Sequence, residues 1–169
     1  TIIANLMKLI TNKRDSNGLI NKEFNEYLKN PVTKTEMTAV EMDELKDILT
    51  NALKVYPGLG ISATQLGIKK RACIVKLEPY DYELFLVNPI ITERSEELFL
   101  FYEGCLSIPK TIKEYIPTVR HQKITVQTDN LGTLTFGVDM EADKKDNKVS
   151  LETMKTVIVQ HEIDHLDGF

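Results

Sequence analysis

Cysteine and histidine are scarce in this 169-residue chain, and long apolar runs are missing. Two cysteines, Cys73 and Cys105, are too few for the disulfide framework of a small secreted domain and suit a reducing compartment. No apolar run approaches the ~20 residues needed to cross a bilayer. The opening TIIANLMKLI is interrupted by Asn5 and Lys8 and has no small-residue cleavage pattern, so neither a signal peptide nor an anchor is expected. An excess of positive charge is lacking too. With 21 Lys and Arg against 25 Asp and Glu the net charge is −4, which gives no electrostatic reason to expect nucleic acid or an anionic membrane as a partner. No internal repeat, low-complexity tract or linker marks a second domain, and the length suits a single domain over 1–169. What remains is ordinary globular composition, 42% apolar and 27% charged, so any substrate must be read from a site.

The clearest element begins at Thr38. In TAVEMDELKDILTNALKVYPG, Met42, Leu45, Leu49 and Ala52 form one helical stripe, Thr38 and Glu41 have capping-box spacing, and Pro57-Gly58 stops the helix. GLGISATQLG follows and reads as a loop, with glycines at 58, 60 and 67. RACIVKL and YELFLVNPIIT carry the β-branched and aromatic residues of strands, and KITVQT and TLTFGVD flank a turn at residues 129–132, predicting a hairpin. EADKKDN reads as a charged loop. Ser150 then caps a last helix, SLETMKTVIVQHEIDHLDG, with Glu152 in its first turn where the helix dipole favours negative charge. Strands followed by a terminal helix predict an α+β fold, antiparallel sheets packed around that helix. In residues 1–37, FNEYLKN has helical character but SNG and NP interrupt the pattern, and no role is assigned.

The last helix carries the chemistry. His161 and His165 are spaced i and i+4, so they leave one face of a helix and can aim ring nitrogens at one cation, with Glu162 beside them. This is the HExxH arrangement. A catalytic site of this type takes three protein ligands and leaves one position for water. Only Leu166, Asp167, Gly168 and Phe169 follow His165, and Asp167 points off the histidine face, so the third ligand lies upstream. Two candidates stand there: Cys105, which follows Gly104 in YEGCLSIP where the backbone can approach closely, and His121.

With Cys105 included, three stretches together resemble those of the peptide deformylases, hydrolases that remove the formyl group from the N-terminal formylmethionine of nascent chains. GLGISATQLG is similar to that family's GxGxAAxQxG loop, EGCLS to its cysteine motif and QHEIDHLDG to its metal-binding helix, in the family's order. The likeness runs from about Thr38 to the last residue. It implies Cys105 as the third ligand beside His161 and His165, holding one divalent ion per chain, with Fe2+ as the family's usual metal and Zn2+ or Ni2+ able to substitute. It implies Glu162 as general base and acid, taking a proton from the metal-activated water that attacks the formyl carbon and delivering it to the departing amine. The Gln65 side-chain amide and the Leu106 backbone N–H are the implied donors to the developing oxyanion. Gly60 matches the position where the loop backbone pairs with the substrate peptide. Glu103 matches the family's structural glutamate, with Arg120 as its ion-pair partner.

An apolar pocket is expected for the methionine side chain. Met154, Val157 and Ile158 share the helical face of His161 and, with Phe101, are candidates to line it; residues at that spacing serve equally well as plain core. Ser62 stands where the family more usually has alanine, and its hydroxyl is not expected to touch the metal. The chain ends directly after HLDGF, where bacterial members continue into a further strand and a helix that contributes to ribosome contact. The resemblance therefore implies a minimal form of the phage type or a shortened chain, and leaves ribosome association open. N-formylmethionyl nascent peptides are the implied partners of a monomer in the cytoplasm of a bacterial cell or phage-infected host, with an organelle as the alternative. Two rival readings are an HExxH metallopeptidase with an internal third ligand and a non-catalytic module in which His121 closes a four-ligand site.

Overall fold

The computed structural model describes residues 30–56, 58–103 and 116–169. Helix α1 (Ala39–Val55) starts where expected, the Thr38 hydroxyl accepting a hydrogen bond from the Glu41 N–H at 3.2 Å. Its inward stripe is Leu45, Leu49, Ala52 and Leu53, all buried, with Met42 half-buried at the edge. The helix ends at the Tyr56 cap. Pro57 lies outside the described residues, as does the expected helical stretch FNEYLKN up to Asn30.

The first sheet holds β1 (Gly60–Ser62), β2 (Ala72–Leu77) and β3 (Tyr82–Val87), antiparallel in the order β1-β2-β3. GLGISATQLG is therefore not simply a loop. Its centre is drawn into a strand by pairing Gly60, Ile61 and Ser62 with Val75, Ile74 and Cys73, and a 3-10 turn (Ala63–Leu66) closes it, ending at Gly67 with φ 76°. A three-residue strand leaves no periodic signal in sequence, so only its partner reveals it.

Helix α1 covers one face of this sheet and the last helix, α3 (Leu151–Leu166), covers the other. Ile74, Phe85 and Val87 join α1 in one core cluster, while Cys73, Val75 and Leu86 join Val157, Ile163 and Leu166 of α3 in another. Burial on both faces explains why β2 reads ACIVKL, nearly apolar throughout, rather than alternating.

A second antiparallel sheet has the order β4 (Ile90–Arg94), β7 (Lys123–Thr128), β8 (Gly132–Gly137), and β5 (Leu98–Glu103) pairs with β6 (Ile116–His121) as a two-stranded ribbon. Asn88, at φ 49°, turns the chain from the first sheet to the second; its amide donates to the Thr35 carbonyl at 2.8 Å and to Asp129 at 2.7 Å. The predicted β7–β8 hairpin forms, with Gly132 at φ 70°.

EADKKDN is helical up to Asp146, contrary to expectation: it forms most of α2 (Met140–Asp146), with Asn147 as its C-cap and Asp139 as its N-cap, which accepts from the Ala142 N–H at 3.0 Å. None of its residues is buried, so it carries no apolar stripe to announce it. Antiparallel sheets packed on a C-terminal helix bear out the α+β expectation. Among the described residues, no helix is long and apolar enough to cross a membrane.

Candidate metal centre and active site

Helix α3 is built to bring its polar residues into the interior. Ser150 caps it, accepting from the Thr153 N–H at 3.3 Å, and Val157, Val159, Ile163 and Leu166 are fully buried on several sides of the helix. A helix so enclosed can hold a glutamate and two histidines out of bulk water. Glu162 is 3% exposed and His165 9%, while His161 is half-buried.

The two imidazoles converge. Their Nε2 atoms are 3.2 Å apart, with the rings edge-to-face at 81° and centroids at 4.8 Å. Two nitrogens bound at ~2.0–2.1 Å to one tetrahedral ion would stand about 3.3 Å apart, so this pair fits a shared cation. No group of three His, Cys, Asp or Glu side chains that could hold a metal occurs among the described residues, and Cys105 and Leu106 lie outside them. His121 is described and does not join the pair. Its Nδ1 meets the Ser95 carbonyl at 2.7 Å, which leaves the closed site built on His121 without support. The other cysteine, Cys73, is fully buried in β2. Burial pushes its thiol well above the ordinary value and the charge of Glu162 adds to this, against a smaller lowering by Arg71. Cys73 is thus a neutral core residue rather than a thiolate ligand.

Gln65 is buried in the turn that packs on α3. Its Oε1 accepts from the Ser62 N–H at 3.0 Å and from the Ser62 hydroxyl at 3.3 Å. Because an N–H can only donate, the atom it meets must be the amide oxygen, and this fixes which way the carboxamide faces. The group on the opposite side is the NH2. Gly60, two residues before Ser62, lies against Glu162. Of the pocket candidates, Val157 and Ile158 are in the core cluster and Met154 and Phe101 pack against it, half-buried.

Several residues at the site carried no assignment from the sequence. Gln160 grips β6, its Oε1 accepting from the His121 N–H at 3.0 Å and its Nε2 donating to the His121 carbonyl at 2.9 Å. One turn on, Asp164 pairs with Arg120; the side chain of Glu103, the partner expected for that arginine, lies outside the described residues. These two contacts flank His161 and hold the helix against the ribbon. Gln160 has no readable signal, because its partner is backbone 39 residues away. Ser62 had one: S-x-x-Q before a turn is capping-box spacing.

The polypeptide deformylase family model matches residues 20–169. The chain is 32% identical over 149 residues to a peptide deformylase of Dictyoglomus thermophilum, covering 88% of this chain and 86% of that protein. The chain belongs to the polypeptide deformylase family. A peptide deformylase of Rhizobium meliloti is 33% identical over 149 residues, covering 83% and 78% of the two chains. Among solved structures, a probable peptide deformylase from synechococcus phage S-SSM7 superposes with a TM-score of 0.68 at 31% identity, covering 96% and 95%. A class I type b peptide deformylase from Acinetobacter baumannii gives 0.68 at 26%, covering 96% and 97%. As a deformylase, the protein is a hydrolase that removes the N-formyl group from nascent peptides, and the family is metal-dependent.

Proposed function

We propose that this deformylase works through one divalent ion held by Cys105, His161 and His165, with Glu162 as general base and acid and Gln65 and the Leu106 N–H as oxyanion donors. The observation that carries the reading is the pair of Nε2 atoms at 3.2 Å with a buried glutamate between the two histidines in sequence. When bound, the ion supplies Lewis-acid polarisation and lowers the pKa of a water in its open position. Fe2+ is the metal assigned, from the family resemblance; one thiolate and two imidazoles also suit Zn2+ and Ni2+.

The residues of the chain do the rest. Glu162, buried beside the two histidines, takes the proton released as the formyl carbon is attacked and returns it to the amine as the C–N bond breaks. Gln65, its carboxamide oriented by Ser62, offers N–H to the formyl oxygen where negative charge grows. The backbone of β1 at Gly60 receives the peptide as an added strand. Met154, Ile158 and Phe101 accept the methionine side chain; the solved Acinetobacter baumannii enzyme includes a form described as Met-ala-ser bound, the product such a site would release. We take residues 1–169 as one catalytic domain acting as a cytoplasmic monomer on nascent chains, with ribosome contact to be decided by binding.

The experiment is formate release from formyl-Met-Ala-Ser by protein loaded anaerobically with Fe2+, run beside Glu162→Gln with metal content measured in both. Release that vanishes in Glu162→Gln while the ion stays bound is expected. No release from a fully loaded wild type refutes the proposal, and cleavage of internal peptide bonds would favour the metallopeptidase.

A further inference from the structure

Gly60 is buried in β1, paired with Val75, and its φ is not in the left-handed region. Its backbone therefore suits any L residue, and nothing conformational calls for glycine. Space does. A Cβ at this position would stand 3.0 Å from Glu162 Oε1, 3.1 Å from Glu162 Cγ and 2.9 Å from the Ile74 carbonyl oxygen. Two of these three atoms belong to one side chain. That side chain is 3% exposed and sits on a helix fixed by the Gln160 and Asp164 contacts to β6. A methyl group must therefore push β1 off the Ile74 carbonyl of the buried strand β2 and, because the helix is anchored, also turn the Glu162 carboxylate.

We propose that Gly60 is a positioning residue for Glu162: by lacking a side chain it sets the slot in which the carboxylate lies between β1 and α3. The role assigned to Glu162 in the reaction rests on the proposed function, but the packing claim does not. The requirement is distinct from backbone pairing with substrate, because alanine keeps the same N–H and C=O groups and removes only the space.

The test uses metal-free, full-length protein carrying 13C-labelled glutamate carboxyls, with the Glu162 resonance assigned by its loss in Glu162→Ala. Gly60→Ala is expected to move that resonance, whereas Leu59→Ala, at an exposed neighbour, leaves it in place. A thermal double-mutant cycle is read beside it. Gly60→Ala should lower Tm by about 4–10 °C in the wild type, as overpacking does, and by clearly less in Glu162→Ala, where the two Glu162 atoms are gone and only the Ile74 carbonyl contact remains. In the metal-loaded enzyme, Gly60→Ala should lose about 10²-fold in kcat, with KM within about threefold and metal content unchanged.

An unmoved resonance, or equal Tm losses in the two backgrounds, overturns the proposal. If Gly60→Ala alone fails to fold, the double variant decides. A folded double upholds the slot, and an unfolded one puts the cost at the Ile74 carbonyl and overturns it. A wild type inactive on formyl peptides would remove the catalytic role of Glu162, and the resonance and the cycle would still decide the packing.

Discussion

Ser62 changes meaning once its neighbours are known. It stands where the family more usually has alanine, with a hydroxyl not expected to touch the metal, and that hydroxyl reaches Gln65 Oε1 at 3.3 Å and Thr64 Oγ1 at 3.1 Å in a fully buried cluster. The hydroxyl adds a second donor to an amide oxygen that already has the Ser62 N–H. Removing it should loosen the carboxamide without releasing it. A long neutral hydrogen bond of this kind is worth about 0.5–1 kcal/mol, so Ser62→Ala is expected to cost ~2–5-fold in kcat with KM unchanged. Gln65→Ala, which deletes the proposed oxyanion donor itself, should cost ~10²–10³-fold. Steady-state kinetics on formyl-Met-Ala-Ser distinguishes the two, and a loss confined to KM would show that Ser62 acts on binding instead.

The corner between α2 and α3 is held by one carboxylate. Burial raises the Asp143 carboxyl, but the Thr153 hydroxyl at 2.7 Å and the Ser150 N–H at 2.7 Å outweigh it and hold the group below the usual carboxylate value. A carboxyl depressed on folding stabilises the protein above its unfolded pKa of ~3.9 and loses that contribution as pH falls through the folded value. Asp143→Asn should therefore lower Tm by about 2–4 °C at pH 7, and the gap should narrow as pH falls below the unfolded value and through the lower folded one. A gap independent of pH would mean that the charge has no part in it. The same corner marks a limit of sequence reading. Helices α1 and α3 were legible because a capping residue precedes an apolar pattern in each, and β2 because burial on both faces leaves a continuous apolar run. Helix α2 has no buried face, and what holds it is Asp139 at its cap and Asp143 reaching into the next helix. The histidines and Glu162 were legible because their chemistry follows helical periodicity. Gly60 and Gln160 were legible only in part or not at all, since what each meets lies far away in the chain.

Arg71 ties three segments far apart in the sequence together at the foot of the metal helix. It is 5% exposed immediately before β2, where its Nε donates to the Pro89 carbonyl at 2.8 Å and its Nη1 to the Val32 carbonyl at 3.0 Å and the Leu166 carbonyl at 3.3 Å. The same Nη1 pairs with Asp167 at 2.7 Å, and the Val32 N–H donates to Leu166 O at 2.7 Å. The segment before α1, the β3–β4 link and the last turn of α3 thus share one guanidinium, and Leu166 directly follows His165. A planar fork with several donors suits this junction in a way that a single ammonium does not. Arg71→Met keeps apolar bulk but takes this donor from the Pro89 and Val32 carbonyls and leaves Asp167 without its cation, at about 2–4 kcal/mol. The expected result is a Tm lower by about 5–12 °C, faster hydrogen exchange in residues 164–169, and Zn2+ affinity weakened about tenfold as His165 loses its support. Arg71→Lys should recover less than half of each loss. If Tm falls while Zn2+ affinity is kept, the core around Ile163 and Leu166 holds His165 without the arginine, and Arg71 serves the fold alone.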